Sequence, residues 1–417
     1  MKRSDPVKNK TNWIVNTLVF VGIAAILAAI AIPQFAAYRG GPSTNTAYNP
    51  PTYNPPILYE AEVCPTYAKF NTEAYDYLQE HPFLEVEQNP LSTFGIDVDT
   101  ASYANIRRFI RDGYMPPKDA VRIEEMINYF TYNYPTPSTD TPFSVRTELA
   151  NCPWQENHKL VSLALKGKEL AEGKRPPSNL VFLLDVSGSM RSSNKLPLLK
   201  RAMKLLVREL GDDDRVAIVV YASAAGQVLP STTCTDSNKK RILRAIDNLH
   251  AGGSTHGSQG IQLAYQTAER NFIKGGTNRV ILATDGDFNV GITNQGDLVR
   301  LIQDKAETGT FLTVLGFGTG NLKDSTMEHL ADKGNGNYGY IDTIREARKV
   351  LVEQAAGTLV TIAKDVKIQV EFNPATVAEY RLIGYETRAL RREDFNNDKV
   401  DAGEIGAGHT VTALYEV

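Results

Sequence analysis

The most constraining feature of the sequence begins at residue 179, where continuous runs of Val, Ile and Leu alternate with amphipathic segments. A run that is apolar at nearly every position predicts a strand buried on both faces, and an apolar helical period predicts a helix packed on one face. The strand-like runs include NLVFLLDV, RVAIVVYAS, NRVILATDG and TFLTVLGFG. Their alternation with helices predicts an α/β fold with a doubly wound, mostly parallel sheet. Ligands of such sheets bind at the carboxyl ends of the strands.

The segments on either side of this unit, which we bound at residues 179–362, have different patterns. Residues 88–178 combine helical segments with the alternating runs PFSVRTELA and KLVSLALKG, which predicts a small α+β N-terminal domain. Residues 363–417 alternate without helices and predict a β-rich C-terminal unit ending in the run HTVTALYEV. Because so small a β unit stabilises itself poorly, we expect it to be incomplete or to take strands from elsewhere in the chain.

The N-terminus predicts a membrane anchor. Residues 1–12 form a basic segment, and residues 13–37 contain an apolar run long enough to cross a bilayer as a helix. Basic residues before the run place the N-terminus in the cytoplasm and the bulk of the chain in the periplasm or outside the cell. A Pro- and Tyr-rich spacer follows over residues 38–87. A cleaved signal peptide is the alternative to the anchor, because the run contains small residues that suit a peptidase.

Charge and cysteine content limit the classes of function. A net charge of -3 gives no basic surface for nucleic acid, so no nucleic-acid partner is predicted. The three cysteines, Cys64, Cys152 and Cys234, allow at most one intramolecular disulfide, and their spacing does not predict a metal knuckle. We expect them to be buried or unpaired thiols.

Five oxygen-bearing side chains follow buried strands or precede a helix in the central unit. Asp185, Ser187 and Ser189 come directly after the first strand, Thr255 lies in the Gly-rich turn GGSTHGSQG, and Asp285 ends the strand of NRVILATDG. Because the carboxyl ends of parallel strands meet at one edge, we expect these residues to converge there. Hard oxygen donors suit Mg²⁺, with Mn²⁺ or Ca²⁺ as alternatives, and they do not suit zinc. The sequence therefore predicts a divalent-metal site.

The segments DVSGSM, GGST and TDG, in this order, resemble the metal-ion-dependent adhesion site of von Willebrand factor type A domains. The resemblance implies that Ser187 and Ser189 coordinate the metal directly, and that Thr255, Asp185 and Asp285 do so directly or through water. It also implies an open coordination position, which an acidic side chain of a ligand would fill. The function implied is an extracytoplasmic, metal-dependent protein-binding or adhesion module whose partner exposes an Asp or Glu.

The resemblance covers residues 90–417, beyond the type A domain itself. STFGIDVDTASYANIRRFIRDGYMP, the NCPW turn and the tail EDFNNDKVDAGEIGAGHTVTALYEV are similar to bacterial proteins with a family-specific N-terminal domain and a C-terminal domain of unknown function. In that family the C-terminal domain continues further than in this sequence, which agrees with the expectation that residues 363–417 are incomplete. Neither the ligand nor the oligomeric state follows from the resemblance.

A second hypothesis comes from the apolar segment near the N-terminus. The stretch Gly22–Arg39 resembles the N-terminal helix of type IV pilins. It lacks the Gly-Phe processing site and the upstream glutamate of that family. A structural or pilus-like envelope component that displays a type A domain is therefore the alternative to the binding module.

Other motifs do not support catalysis or a second cofactor. GFGTG at residues 316–320 follows a strand, but the spacing of its glycines does not fit a dinucleotide site. Residues 394–398 begin like a calcium loop but lack its glycine and bidentate glutamate. No nucleophile elbow occurs, so the chain is not predicted to be an enzyme.

Asp97 and Asp99, with Ser102, superficially echo the spacing of the metal motif. Their serine spacing is wrong for that site. We instead expect Asp99 or Thr100 to cap the helix that follows.

Overall fold

A computed structural model describes eight stretches of the 417-residue chain, and every structural statement below concerns these residues. The described stretches are residues 72–138, 141–171, 175–222, 225–252, 257–286, 295–354, 359–397 and 399–417. The predicted membrane anchor, the pilin-like segment and Thr255 lie outside them.

The described secondary structure comprises strands β1 to β14 and helices α1 to α8. The strands are Leu84–Glu85, Leu91–Gly95, Phe143–Asn151, Lys159–Gly167, Ser178–Asp185, Arg215–Tyr221, Ala225–Thr233, Thr277–Thr284, Thr310–Phe317, Tyr338–Ile341, Thr361–Glu371, Glu379–Ile383, Gly403–Gly406 and Thr410–Glu416. The helices are Ala101–Arg111, Ile123–Asn128, Leu196–Glu209, Asp236–Asp247, Gly257–Arg270, Gln295–Glu307, Asp324–Lys333 and Ile344–Arg348, and a π-helical turn, Lys349–Glu353, continues α8.

The central unit is a six-stranded sheet in the order β10-β9-β8-β5-β6-β7. All neighbours in it are parallel except β6 and β7, which are antiparallel. Every residue of β5 and of β8 is buried, as their continuous apolar runs predict. The prediction of an α/β fold with a mostly parallel sheet is confirmed.

Helices cover both faces of this sheet. On one face, apolar side chains of α3, α4 and α8 pack against β5 and β6. On the other face, α5, α6 and α7 pack against β8 and β9, and Ala101 and Ala104 of α1 join them. The two apolar layers hold the strand ends in fixed positions, and the edge where β5 and β8 end is the one that carries the predicted ligands.

The remaining strands form two sheets that mix the N-terminal and C-terminal parts of the chain. The five-stranded sheet has the order β1-β12-β14-β4-β3, and the three-stranded sheet has the order β13-β11-β2. Every residue of β14 from Thr410 to Glu416 pairs with β4. An apolar core that includes Phe94, Leu163, Ile368 and Tyr415 lies between the sheets. Residues 88–178 and 363–417 therefore share sheets and a core, because neither part can cover its own apolar face.

Part of the predicted spacer packs against the folded chain. The Thr72 backbone N–H donates to the Gly320 carbonyl at 2.8 Å, and Ala74 forms a parallel bridge with Lys323. The Glu73 carboxylate pairs with buried Arg108 of α1 at 2.9 Å. The sequence predicts a spacer over residues 38–87, but residues 72–74 are bound to the loop after β9, since their backbone and the Glu73 carboxylate have partners there.

Within the described residues, no helix is both long enough and apolar enough to cross a membrane. Cys152 and Cys234 are buried free thiols, as the sequence predicts for these two positions.

Candidate metal centre

Four of the five predicted ligands lie at the carboxyl ends of two adjacent strands. Asp185 is the last residue of β5, and Asp285 directly follows β8, which pairs with β5 in parallel. Both aspartates are fully buried. Two carboxylates in such a place require compensating charge or hydrogen bonds, because burial without them is costly.

The loop after β5 brings the two serines to the same place. The Ser187 backbone N–H donates to Asp185 Oδ1 at 2.8 Å, which turns the chain back over the strand end. A short 3-10 turn, Gly188–Arg191, follows. The Oγ atoms of Ser187 and Ser189 lie 2.8 Å apart. The DVSGS segment thus presents one carboxylate and two hydroxyls together, as the sequence predicts.

The second carboxylate oxygen of Asp185 is held from β8. The Thr284 hydroxyl donates to Asp185 Oδ2 at 3.2 Å, and the Gly286 backbone N–H donates to the same hydroxyl at 3.2 Å. The pKa of Asp185 is raised to about 6, mainly by burial and with a contribution from the nearby Asp285 charge, while hydrogen bonds from Ser187 and Thr284 oppose the rise. The two carboxylates are therefore close enough to repel each other, which is the condition that a cation relieves.

A lysine that the sequence analysis did not single out also enters the site. Lys195 Nζ lies 2.7 Å from Asp285 Oδ2, and the exposed fractions of the two side chains are only 8% and 0%. Lys195 immediately precedes α3. A lysine before an amphipathic helix gives no sequence signal of this contact, since such residues are ordinarily solvated.

The residues present fit a divalent cation. Carboxylate and hydroxyl oxygens are the donors that Mg²⁺, Mn²⁺ and Ca²⁺ take in proteins, and no soft ligand lies among the four. The hydroxyls of Ser187 and Ser189 retain lone pairs beyond the hydrogen bond that joins them. Thr255, the fifth predicted ligand, lies outside the described residues.

A second group of acidic residues lies elsewhere, where α2 and α7 meet the start of α1. Carboxylate oxygens of Asp97, Glu125 and Glu328 lie within 4.8 Å of one another, and all three residues are buried. Arg122 pairs with Glu125 and, at 3.2 Å, with Glu328, while Arg388 Nε lies 3.5 Å from Asp97. The two guanidinium groups make this an ion-pair network, which we name the junction cluster. The sequence analysis missed it because its members are far apart in the chain.

The prediction that the side chain of Asp99 or Thr100 caps α1 is wrong. Thr100 occupies the N-cap position, but its side chain accepts no capping hydrogen bond. Asp99 Oδ1 instead accepts the Tyr338 backbone N–H at 2.9 Å. The orphan N–H of Ser102 in the first turn donates to Glu125 of α2 at 2.8 Å. A tertiary carboxylate therefore replaces the local cap.

Residues 179–354 match the family model of the von Willebrand factor type A domain. This match assigns residues 179–354, and not the whole chain, to the type A domain family. Residues 69–162 match a model described as von Willebrand factor, and residues 357–417 match the model of the C-terminal domain of uncharacterized protein YfbK. The type A domain is the six-stranded unit that carries the candidate metal centre.

The chain is homologous to uncharacterized protein YfbK of Escherichia coli (strain K12), with 50% identity over 353 residues. This similarity covers 83% of the chain and 61% of YfbK, so the chain spans less than two thirds of that relative. The E3 ubiquitin-protein ligase WAV3 of Arabidopsis thaliana is 27% identical over 206 residues, which cover 49% of this chain and 26% of that protein. Among solved structures, von Willebrand factor type A from Catenulispora acidiphila is 16% identical with a TM-score of 0.44, covering 69% of this chain and 66% of that one.

Proposed function

We propose that the chain binds a protein partner through a divalent cation held by Asp185, Ser187, Ser189 and Asp285, with Thr255 as the fifth ligand. The observation that carries the proposal is the convergence of two fully buried carboxylates and two hydroxyls at the ends of β5 and β8. Type A domains are typically protein-interaction modules. The role is binding and not catalysis.

The partner's recognised group is an exposed Asp or Glu side chain. Mg²⁺ takes about six oxygen ligands and dehydrates reluctantly, so it keeps open positions for water or for an incoming oxygen. A carboxylate is the protein side chain that best fills such a position on a hard cation. The cation supplies Lewis acidity and charge, while the chain's own residues hold it at a rigid sheet edge.

We also propose that the site faces the periplasm or the exterior of the cell. Support comes from the sequence alone, through the apolar run of residues 13–37 and the basic residues before it. Addition of protease to intact spheroplasts that carry the full chain tests this orientation. We expect cleavage of the type A domain without lysis; protection until lysis would contradict the extracytoplasmic location.

Metal binding and partner capture are tested together by Ser187→Ala. We expect the full chain to bind Mn²⁺ in a titration followed by electron paramagnetic resonance, and to retain envelope proteins on an affinity matrix in Mg²⁺ but not in EDTA. Ser187→Ala removes one ligand and should weaken Mn²⁺ binding by about tenfold or more, since each 1.4 kcal/mol is tenfold.

The matched control is Ser193→Ala, an exposed serine a few residues further along the same loop. It should bind Mn²⁺ and retain envelope proteins as the unmodified chain does. Capture that is equal in Mg²⁺ and EDTA, and equal in Ser187→Ala, would refute the proposed function.

A further inference from the structure

The contact between Lys195 and Asp285 is an unusual component of a cation site, because it places a positive charge where a cation is to bind. Lys195 Nζ lies 2.7 Å from Asp285 Oδ2, and both side chains are almost entirely removed from water. In such surroundings the interaction of charges is much stronger than at a surface. Any cation that uses Asp285 therefore shares it with an ammonium group.

The position of Lys195 is fixed by its backbone. Its N–H donates to the Ser192 carbonyl at 3.0 Å, and its carbonyl accepts the Leu199 N–H of α3 at 2.8 Å. The lysine therefore starts from a rigid point at the beginning of α3.

The side chain then runs along Gly318, in the loop after β9. A Cβ atom built on Gly318 would lie 2.3 Å from Cγ, 2.5 Å from Cε and 2.8 Å from Cδ of Lys195, so only glycine leaves room for the methylene chain. The Tyr340 hydroxyl donates to the Gly318 carbonyl at 2.7 Å and holds this loop in place. The segment GFGTG does not fit a dinucleotide site, but its Gly318 leaves the space that the Lys195 side chain occupies.

The charges of the site decide which ligand it favours. Among the residues of the site that the structure describes, Asp185, Asp285 and Lys195 together carry one negative charge, and a divalent cation converts this to one positive charge. A carboxylate from a partner then makes the assembly neutral. Without the lysine, the two aspartates would already neutralise the cation, and an incoming carboxylate would leave an excess negative charge in a buried place.

We infer that Lys195 sets the ligand preference of the site: it weakens cation binding through its hold on Asp285 and makes the bound cation selective for an anionic partner group. The inference rests on the proposed function, because it presupposes a cation at these residues. Lys195 acts through Asp285 and the cation, so it is a positioning and specificity-determining residue and not a ligand.

The test uses the full chain in mild detergent with Lys195→Met, which keeps an unbranched side chain one atom shorter and removes the charge. Lys195→Gln is a second neutral variant that can still donate a hydrogen bond to Asp285. Two quantities are measured: the dissociation constant of Mn²⁺, and the acetate concentration that displaces Mn²⁺-bound water in proton relaxation. The control is Lys204→Met. Lys204 lies on α3, the helix that Lys195 precedes, and forms a more exposed ion pair with Asp247.

We expect both neutral variants to bind Mn²⁺ about tenfold more tightly and to require about tenfold more acetate, the change produced by 1.4 kcal/mol of charge interaction. A lower dissociation constant for Mn²⁺ together with a higher acetate concentration identifies a charge effect of Lys195. A residue that merely orients Asp285 would instead weaken Mn²⁺ binding when it is removed. Lys204→Met should match the unmodified chain. Unchanged or weaker Mn²⁺ binding in both neutral variants overturns the inference.

The outcomes separate this inference from the proposed function. If the unmodified chain binds Mn²⁺ and Ser187→Ala weakens this binding, but the Lys195 variants change neither the Mn²⁺ dissociation constant nor the acetate concentration, only the role of Lys195 is refuted. If the unmodified chain and all variants fail to bind Mn²⁺, the proposed function is refuted and the role of Lys195 with it.

Discussion

Gly318 has a backbone conformation and a neighbour that both require glycine. Its φ is +77°, a region that L-residues with a side chain seldom adopt, and a Cβ atom there would overlap Lys195. We expect Gly318→Ala to lower the free energy of unfolding by about 2 to 4 kcal/mol, from backbone strain and from displacement of a buried ion pair. Urea denaturation measures this change.

Gly320, two residues further along, is the matched control. Its φ is +92°, but nothing lies within 4 Å of a Cβ atom built there. Gly320→Ala should therefore cost only the backbone strain, about 1 to 2 kcal/mol. Equal losses in the two variants would show that the packing of Lys195 against Gly318 contributes nothing to stability.

The convergence of four of the proposed ligands could be predicted from the sequence because strand ends and turns are local features. Asp185, Ser187 and Ser189 are neighbours in the chain, and a buried run before Asp285 places it at the same edge. Lys195 could not be predicted, because its contact depends on how α3 and the loop after β9 meet in space. The glycines around Gly318 indicate a turn in the sequence, but they do not indicate that the Lys195 side chain packs against this residue.

At the scale of helices, α2 and α7 are joined through the junction cluster. The pKa of Glu125 is raised to about 7 and that of Glu328 to about 8, mainly by burial, while Arg122 opposes the rise and neighbouring carboxylates add to it. These groups bind protons in the folded chain at pH values where an unfolded chain has released them. Stability contributed by the protonated forms is therefore present below the unfolded pKa of about 4.5 and is lost as the pH rises through 7 to 8.

We therefore expect the melting temperature in EDTA to fall by several degrees between about pH 5 and pH 8, since 1 kcal/mol shifts it by about 2 to 4 °C in a domain of roughly 150 to 250 residues. Glu328→Gln mimics the protonated side chain and should flatten this dependence. Scanning calorimetry at several pH values measures both. The exposed Glu87 provides the control: Glu87→Gln should keep the full dependence. A melting temperature that rises over this interval in the unmodified chain would contradict the assignment.

The helices and strands of the type A domain can be predicted from the spacing of apolar residues. Each helix buries one face against the sheet, and the central strands are buried on both faces. Details at helix ends do not follow. The sequence predicts that Asp99 or Thr100 caps α1, yet Glu125 of a different helix accepts the N–H of Ser102. A cap supplied by a distant residue has no local pattern, and the same holds for the short strand β1, which exists because β12 lies beside it.

At the scale of the whole molecule, β11 to β14 complete sheets begun by the N-terminal part. β4 lies between β3 and β14, and β2 pairs with β11. A variant that ends after residue 360 should therefore expose the apolar face of β4, including the buried residues Val161, Leu163 and Leu165. We expect increased binding of the dye ANS and a lower melting temperature, while helical circular dichroism of the type A domain persists.

The type A domain should persist because its two apolar layers draw almost entirely on residues between 180 and 360. Dye binding and a melting temperature equal to those of the full chain would show that the shared sheets do not stabilise the N-terminal part. The sequence indicates β-structure in residues 363–417 and names borrowed strands as one of two explanations. It cannot identify β4 and β2 as the partners, because strand pairing over such a distance depends on the completed fold.

The pairing of β4 with β14 also has a consequence in time. Lys166 of β4 pairs with Thr410 of β14. The ribosome must therefore synthesise the entire type A domain after β4 and before β14. The type A domain, built from successive neighbours in the chain, can fold during that interval. Until β14 has been made, the hairpin of β3 and β4 has one apolar face and one strand edge uncovered, and we expect newly made chains to need a chaperone at this hairpin.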